Sequence, residues 1–121
     1  MGVLFVVSVV LQFNDPDPLR WTLIYGVAGV VCFLPRGRTV RLWLAALGAV
    51  AGWVWCGLLA PLALPGLVLS DLVQRMEDKT PRIELGREML GLAILAAVLS
   101  CIAAAEWRRR AATEAGATPR A

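Results

Sequence analysis

The sequence predicts an all-α integral membrane protein: an antiparallel four-helix bundle with a short interfacial helix between helices 3 and 4. Three observations predict it. The first is composition. Of 121 residues, 59% are hydrophobic and the mean hydropathy is +0.70, more apolar surface than so small a soluble fold can hide. The second is spacing. Charges gather in Asp15–Arg20, Arg36–Arg41, Asp71–Glu88 and Glu106–Arg110, leaving the apolar runs Trp21–Pro35, Leu42–Leu69 and Met89–Ala105 between them. Uncharged stretches of about 18 residues or more are candidates to cross a bilayer. The third is the sign of the loops, where arginine is concentrated in two segments.

The first span is expected over residues 2–13. About twelve helical residues reach only about 18 Å against a hydrocarbon core of roughly 30 Å. Either this helix thins the membrane locally or the true start lies upstream of Met1, and the second is the expectation taken here. A cleaved signal peptide is not expected, because the segment has neither a basic n-region nor an A-x-A site. The second span is expected over 18–34, with Arg20 reaching to the headgroups by its long side chain. Asp15-Pro16 and Asp17-Pro18 both suit an N-cap followed by proline at the first helical position.

The third span is expected over 41–60. It carries a G-x-x-x-G pair, Gly48 and Gly52, within a stripe of small residues that includes Ala45, Ala49 and Cys56. Such a stripe lets helix backbones approach closely in lipid. Packing within the chain is the first reading and a homo-oligomer seam the alternative. Pro61 and Pro65 then break the pattern. After them "GLVLSDLVQRMED" places Val68, Leu69, Leu72, Val73 and Met76 on one face, an amphipathic helix over about 66–77 that suits the headgroup plane. Thr80 and Pro81 read as N-cap and first position of the fourth span, expected over 83–107. These elements form one transmembrane domain over 1–110. The tail 111–121 is expected to be disordered and cytoplasmic.

Orientation follows from arginine bias. "PRGRTVR" holds Arg36, Arg38 and Arg41, and "EWRRR" holds Arg108, Arg109 and Arg110. Four spans put these segments on one side, taken as cytoplasmic with both termini, in a bacterial-type plasma membrane. Trp43 and Trp107 fall near that inner interface and Trp21 near the outer one, as aromatic belts do. Trp53 and Trp55 lie deeper, so at least one is expected to face the interior. Cys32, Cys56 and Cys101 form no C-x-x-C pair and read as buried apolar residues. There is no histidine, which removes Ser-His-Asp and Cys-His catalysis and the usual zinc sites.

The chemistry-bearing residues gather on the opposite face. Asp17, Trp21, Tyr25, Ala28 and Cys32 form one stripe of the second helix, and Glu84, Arg87, Glu88 and Gly91 share a face of the fourth. Ionisable groups near a membrane usually face the bundle or a cavity. Gln12, Asn14, Asp15, Asp17, Trp21, Tyr25, Glu84, Arg87 and Glu88 therefore form the candidate cluster. Its carboxylates and amides are hard oxygen donors suited to Ca²⁺, Mg²⁺ or Mn²⁺. A small polar ligand or proton at Glu88 is a second use, and an ion pair of Arg87 with Asp15 or Asp17 a third. No catalytic residue is assigned, and no cofactor is expected beyond a divalent cation.

The motif "QFNDPDPLRWTLIY" resembles the Q-x-N-D-P-D…W…Y signature of the transmembrane protein 220 family. "IELGREMLGL", Ile83–Leu92, resembles that family's E-x-G-R-E…G-L segment. The resemblance spans most of the chain between Gln12 and Ala105. It implies a small polytopic membrane protein with no established biochemical activity. The positions that match are Gln12, Asn14, Asp15, Pro16, Asp17, Trp21, Tyr25, Glu84, Gly86, Arg87 and Glu88. Two features depart from the family: a shorter first helix and a longer, proline-rich connection from Pro61 to Arg82. The expected role is non-enzymatic, with the acidic cluster organising the bundle and open to a cation, small ligand or partner. The alternative is an oligomeric solute, ion or proton transporter using the same acids. The expected surroundings are the lipid bilayer, with a homo-oligomer as a further partner and no nucleic acid.

Overall fold

The structure, a computed structural model, describes residues 2–11, 17–65 and 81–117. Among these the chain is all-α, with four helices and no strand: α1 Gly2–Leu11, α2 Pro18–Phe33, α3 Thr39–Ala63 and α4 Pro81–Ala117. The expected interfacial helix over 66–77, Thr80, and the cluster residues Gln12, Asn14 and Asp15 lie outside the described residues. Two helices, α3 and α4, are long and apolar enough to cross a membrane. With 10 and 16 residues, α1 and α2 reach about 15 and 24 Å, short of a hydrocarbon core of roughly 30 Å.

The boundaries have local causes. Pro18 opens α2 at its first position, and the N–H of Leu34 closes it on the carbonyl of Val30 at 2.9 Å. Gly37 turns the chain with φ +85°, a left-handed conformation that glycine adopts without a Cβ clash. The N–H groups of Arg41 and Leu42 then both reach the carbonyl of Arg38 as α3 begins. Pro61 does not end α3, contrary to expectation. Its ring removes one backbone donor, but the N–H of Leu64 still reaches Ala60 at 2.9 Å, and the helix runs to Ala63. Pro65 supports the stop, since a residue before proline is pushed out of the α region.

Helix α4 corrects the expected disordered tail over 111–117. It continues through "AATEAGA" to Ala117, because extending an existing helix through alanine needs no new nucleus. The hydroxyl of Thr113 donates back to the carbonyl of Arg109 at 2.9 Å.

The chain divides into two compact units, residues 1–47 with 99–121, and 48–98. In the first, Gly2 lies against Cys32 and the Phe33 ring, and Phe5 lies against Gly29. Phe5 stacks on Tyr25 at 6.2 Å between ring centroids, and Tyr25 stacks on Trp21 at 5.8 Å. Trp21 is buried. Ala28, Val31, Leu42, Ala45 and Leu99 complete that core. In the second unit Ala49, Leu59, Ala63, Leu92, Leu95 and Ala96 are buried. Gly52 faces Ala96 so closely that a Cβ on it would stand 2.9 Å from the alanine methyl. The Cys56 thiol donates to the carbonyl of Met89 at 3.7 Å. The cysteines depart from expectation: Cys32 and Cys56 are half-buried and Cys101 is exposed. Cys101 falls two residues past Leu99, about 200° around α4 from the packed stripe.

Candidate functional site

A buried polar arrangement lies at the end of the first unit where α2 stops and α3 starts. Leu92 and Leu99 are buried on α4 at a spacing of seven residues. One further step of seven reaches Glu106, whose helix face is thereby directed inward. Its side chain is 1% exposed. A carboxylate so placed is costly unless both oxygens find donors. One oxygen takes the guanidinium of Arg41 in an ion pair. The other accepts the backbone N–H of Gly37 at 2.8 Å, and the left-handed turn at Gly37 carries that N–H.

Arg41 is also nearly enclosed, its side chain 11% exposed. Its Nε donates to the carbonyl of Val31 at 3.1 Å, so one side chain ties the last turn of α2 to Glu106 of α4. One turn beyond Glu106, the guanidinium of Arg110 donates to Oγ1 of Thr39 at 2.7 Å. The loop 34–38 is thus clamped between three helices by charge-assisted bonds, the stronger class of hydrogen bond. Arg36, Arg38, Arg108 and Arg109 stand exposed around the clamp.

The residues singled out from sequence are distributed differently. Asp17, Trp21 and Tyr25 belong to the first unit; Glu84, Arg87 and Glu88 belong to the second. Asp17 occupies the N-cap position of α2 and is exposed, but its side chain makes no capping hydrogen bond. Glu84 is exposed, and Arg87 and Glu88 are half-buried. Gly48 is half-buried and Gly52 buried. Among the described residues no group of three or more His, Cys, Asp or Glu side chains is placed to hold a metal ion.

An apolar groove of about 310 Å³ runs between α1 and α2, lined by Val6, Val9, Tyr25, Gly29, Val30 and Phe33 among others. Tyr25 contributes the one ionisable side chain among the residues that line it.

Sequence reasoning counted Glu106 and Arg41 as members of charged ends and missed their pairing. The seven-residue spacing from Leu92 through Leu99 to Glu106 is the signal that was available. Compared with known families, residues 4–104 match the family described as transmembrane family 220, helix. No curated protein and no solved structure matches. The matched span ends two residues before Glu106.

Proposed function

The chain belongs to transmembrane family 220, and from that premise we propose that it is a multi-pass, non-enzymatic membrane protein acting through binding rather than catalysis. The observation that carries this reading is the outward face of every helix. Val3 and Leu4 on α1, Leu19 and Leu23 on α2, Leu47 and Leu58 on α3, and Ile94 and Trp107 on α4 are all exposed. Water penalises such a surface and hydrocarbon does not.

All four helices enter the membrane, forming an antiparallel bundle. Two pairings support that direction: Gly2 by Phe33 with Phe5 by Gly29, and Thr39 by Arg110 with Arg41 by Glu106. The short α1 and α2 are accommodated by local thinning of the bilayer. The arginine-rich end lies in the cytoplasm, and the loop holding Asp15 and Asp17 faces the other side. There Gln12, Asn14, Asp15, Asp17, Trp21, Tyr25, Glu84, Arg87 and Glu88 organise the outer ends of the helices and receive a cation, small ligand or partner. Asp17 in the first unit and Glu84 in the second are each exposed, which supports each, taken by itself, as accessible to a ligand.

The test is a thermal-shift series on the full chain in detergent against Ca²⁺, Mg²⁺ and Mn²⁺, run beside Asp17→Asn/Glu88→Gln. A saturable rise in melting temperature that the double variant loses is the expected result for a cation site. An unchanged melting temperature at millimolar metal eliminates the cation and leaves a ligand or partner for that face. Release of the protein from vesicles by an alkaline wash would overturn the membrane reading itself.

A further inference from the structure

Two segments far apart in sequence bring six arginines to one end of the first unit: Arg36, Arg38 and Arg41 before and within α3, and Arg108, Arg109 and Arg110 on α4. The structure divides them by task. Arg41 is neutralised from beneath by buried Glu106, and Arg110 is held by Thr39. Arg36, Arg38, Arg108 and Arg109 point to the exterior. The acid that could have compensated them lies under the surface, with both oxygens engaged by Arg41 and Gly37. The Gly37 contact also fixes the loop bearing Arg36 and Arg38 against the turn of α4 that leads to Arg108 and Arg109. The clamp therefore holds cations together that would repel one another if free; Glu114 is the only acid further along α4 among the described residues.

The rim of this patch is apolar. Phe33, Val40, Trp43 and Trp107 are each more than half exposed. A folded aqueous partner or a nucleic acid would satisfy the guanidinium groups and leave these side chains in water. A phospholipid satisfies both, since its phosphate accepts paired N–H bonds from arginine and its acyl chains cover the aromatic rim. We propose that this surface, resting on the membrane reading above, is a binding site for anionic phospholipid headgroups of the leaflet in which it lies. Zwitterionic lipid presents the same phosphate, but its ammonium group meets the arginine cluster unfavourably, so the preference is for net negative headgroups.

The experiment reconstitutes the full chain in vesicles of phosphatidylcholine brominated on the acyl chain. Tryptophan fluorescence then reports displacement of the quencher by unbrominated phosphatidylglycerol or phosphatidylcholine. Wild type is expected to prefer phosphatidylglycerol by about fivefold, the effect of roughly one surface arginine against an anionic leaflet. In 0.5 M salt the preference should shrink. Arg36→Gln/Arg38→Gln/Arg108→Gln/Arg109→Gln, which spares Arg41 and Arg110, is expected to bring the ratio close to one.

Equal displacement by the two lipids in wild type overturns the proposal, as does a quadruple variant that keeps the wild-type ratio. Displacement of phosphatidylglycerol by a single-stranded oligonucleotide at low micromolar concentration would assign the patch to nucleic acid instead. The same vesicles are washed at alkaline pH. Protein that stays bound while showing no lipid preference defeats this proposal alone, and protein that washes off defeats the membrane reading beneath it.

Discussion

Replacing Glu106 by alanine removes both acceptors from a site that water barely reaches. Gly37 loses the partner of its N–H at 2.8 Å. Arg41, with a side chain 11% exposed, keeps only the carbonyl of Val31. An uncompensated buried charge is the expensive result, and breaking a buried pair from one side costs about 3–5 kcal/mol. Glu106→Gln keeps the shape and one acceptor oxygen but turns an amide N–H₂ toward a donor. A hydrogen bond to a charged group is worth about 1.5–3 kcal/mol, so glutamine should fall near 2. Arg41→Met/Glu106→Leu removes both charges, and with them the cost of enclosing them. It should therefore be milder than the sum of Arg41→Met and Glu106→Leu by at least about 2 kcal/mol, within the range found for coupled neighbours. Reversible unfolding in mixed micelles of increasing SDS content, followed by tryptophan fluorescence, measures all of these. A loss below about 1 kcal/mol for Glu106→Ala, or singles that add to within about 0.5 kcal/mol, would refute the clamp as described.

Other substitutions separate close packing from open space. Gly52→Ala puts a methyl 2.9 Å from Ala96, and overpacking of that kind should cost about 1–3 kcal/mol in the same SDS titration. Gly57→Ala, on the same helix with nothing within 4 Å of the added carbon, should be neutral or stabilising by less than about 1 kcal/mol; equal losses at both positions would defeat the assignment of Gly52 to close contact. Gly37→Ala must hold φ +85° with a Cβ, a strain of about 1–2 kcal/mol, and the loss should largely disappear in a Glu106→Ala background, where the turn no longer has to aim its N–H. Cys101 is exposed on an apolar stretch of α4, so in intact vesicles a sulfonated maleimide should leave it unmodified until SDS is added. Modification at the denatured rate in those vesicles would place that stretch in water.

What could be read from the letters was whatever depends on neighbours in the chain. Pro18 and Pro81 begin helices because a residue without an N–H loses nothing at a first position. The apolar runs became α3 and α4 because their length and composition allow little else. Pro61 misled because a single missing donor is a local fact, whereas the continuation of α3 depends on the next donors still finding acceptors. "AATEAGA" misled for the converse reason: its short polar letters look like a tail, but an established helix carries through them.

Glu106 shows where neighbour-based reading stops. In "EWRRR" its close companions along the helix are Arg109 and Arg110, three and four residues on, the spacing of ordinary surface pairs. Its actual partner is Arg41, 65 residues earlier. What selects Arg41 is the phase of the helix: a carboxylate seven residues beyond Leu99 and fourteen beyond Leu92 has to enter the packed seam, and only donors already lining that seam can accompany it. "NDPDP" attracts attention by concentration, yet Asp17 ends exposed with no cap bond, at the opposite end of α2 from the carbonyl that Arg41 takes. A charge crowded among polar letters near a turn has water to satisfy it. A charge in phase with leucines has no such recourse, so it is fixed by geometry and fixes its surroundings in turn. In this chain that consequence reaches from Glu106 through Gly37 to the four exposed arginines, and the buried acid is what permits so concentrated a positive surface to exist.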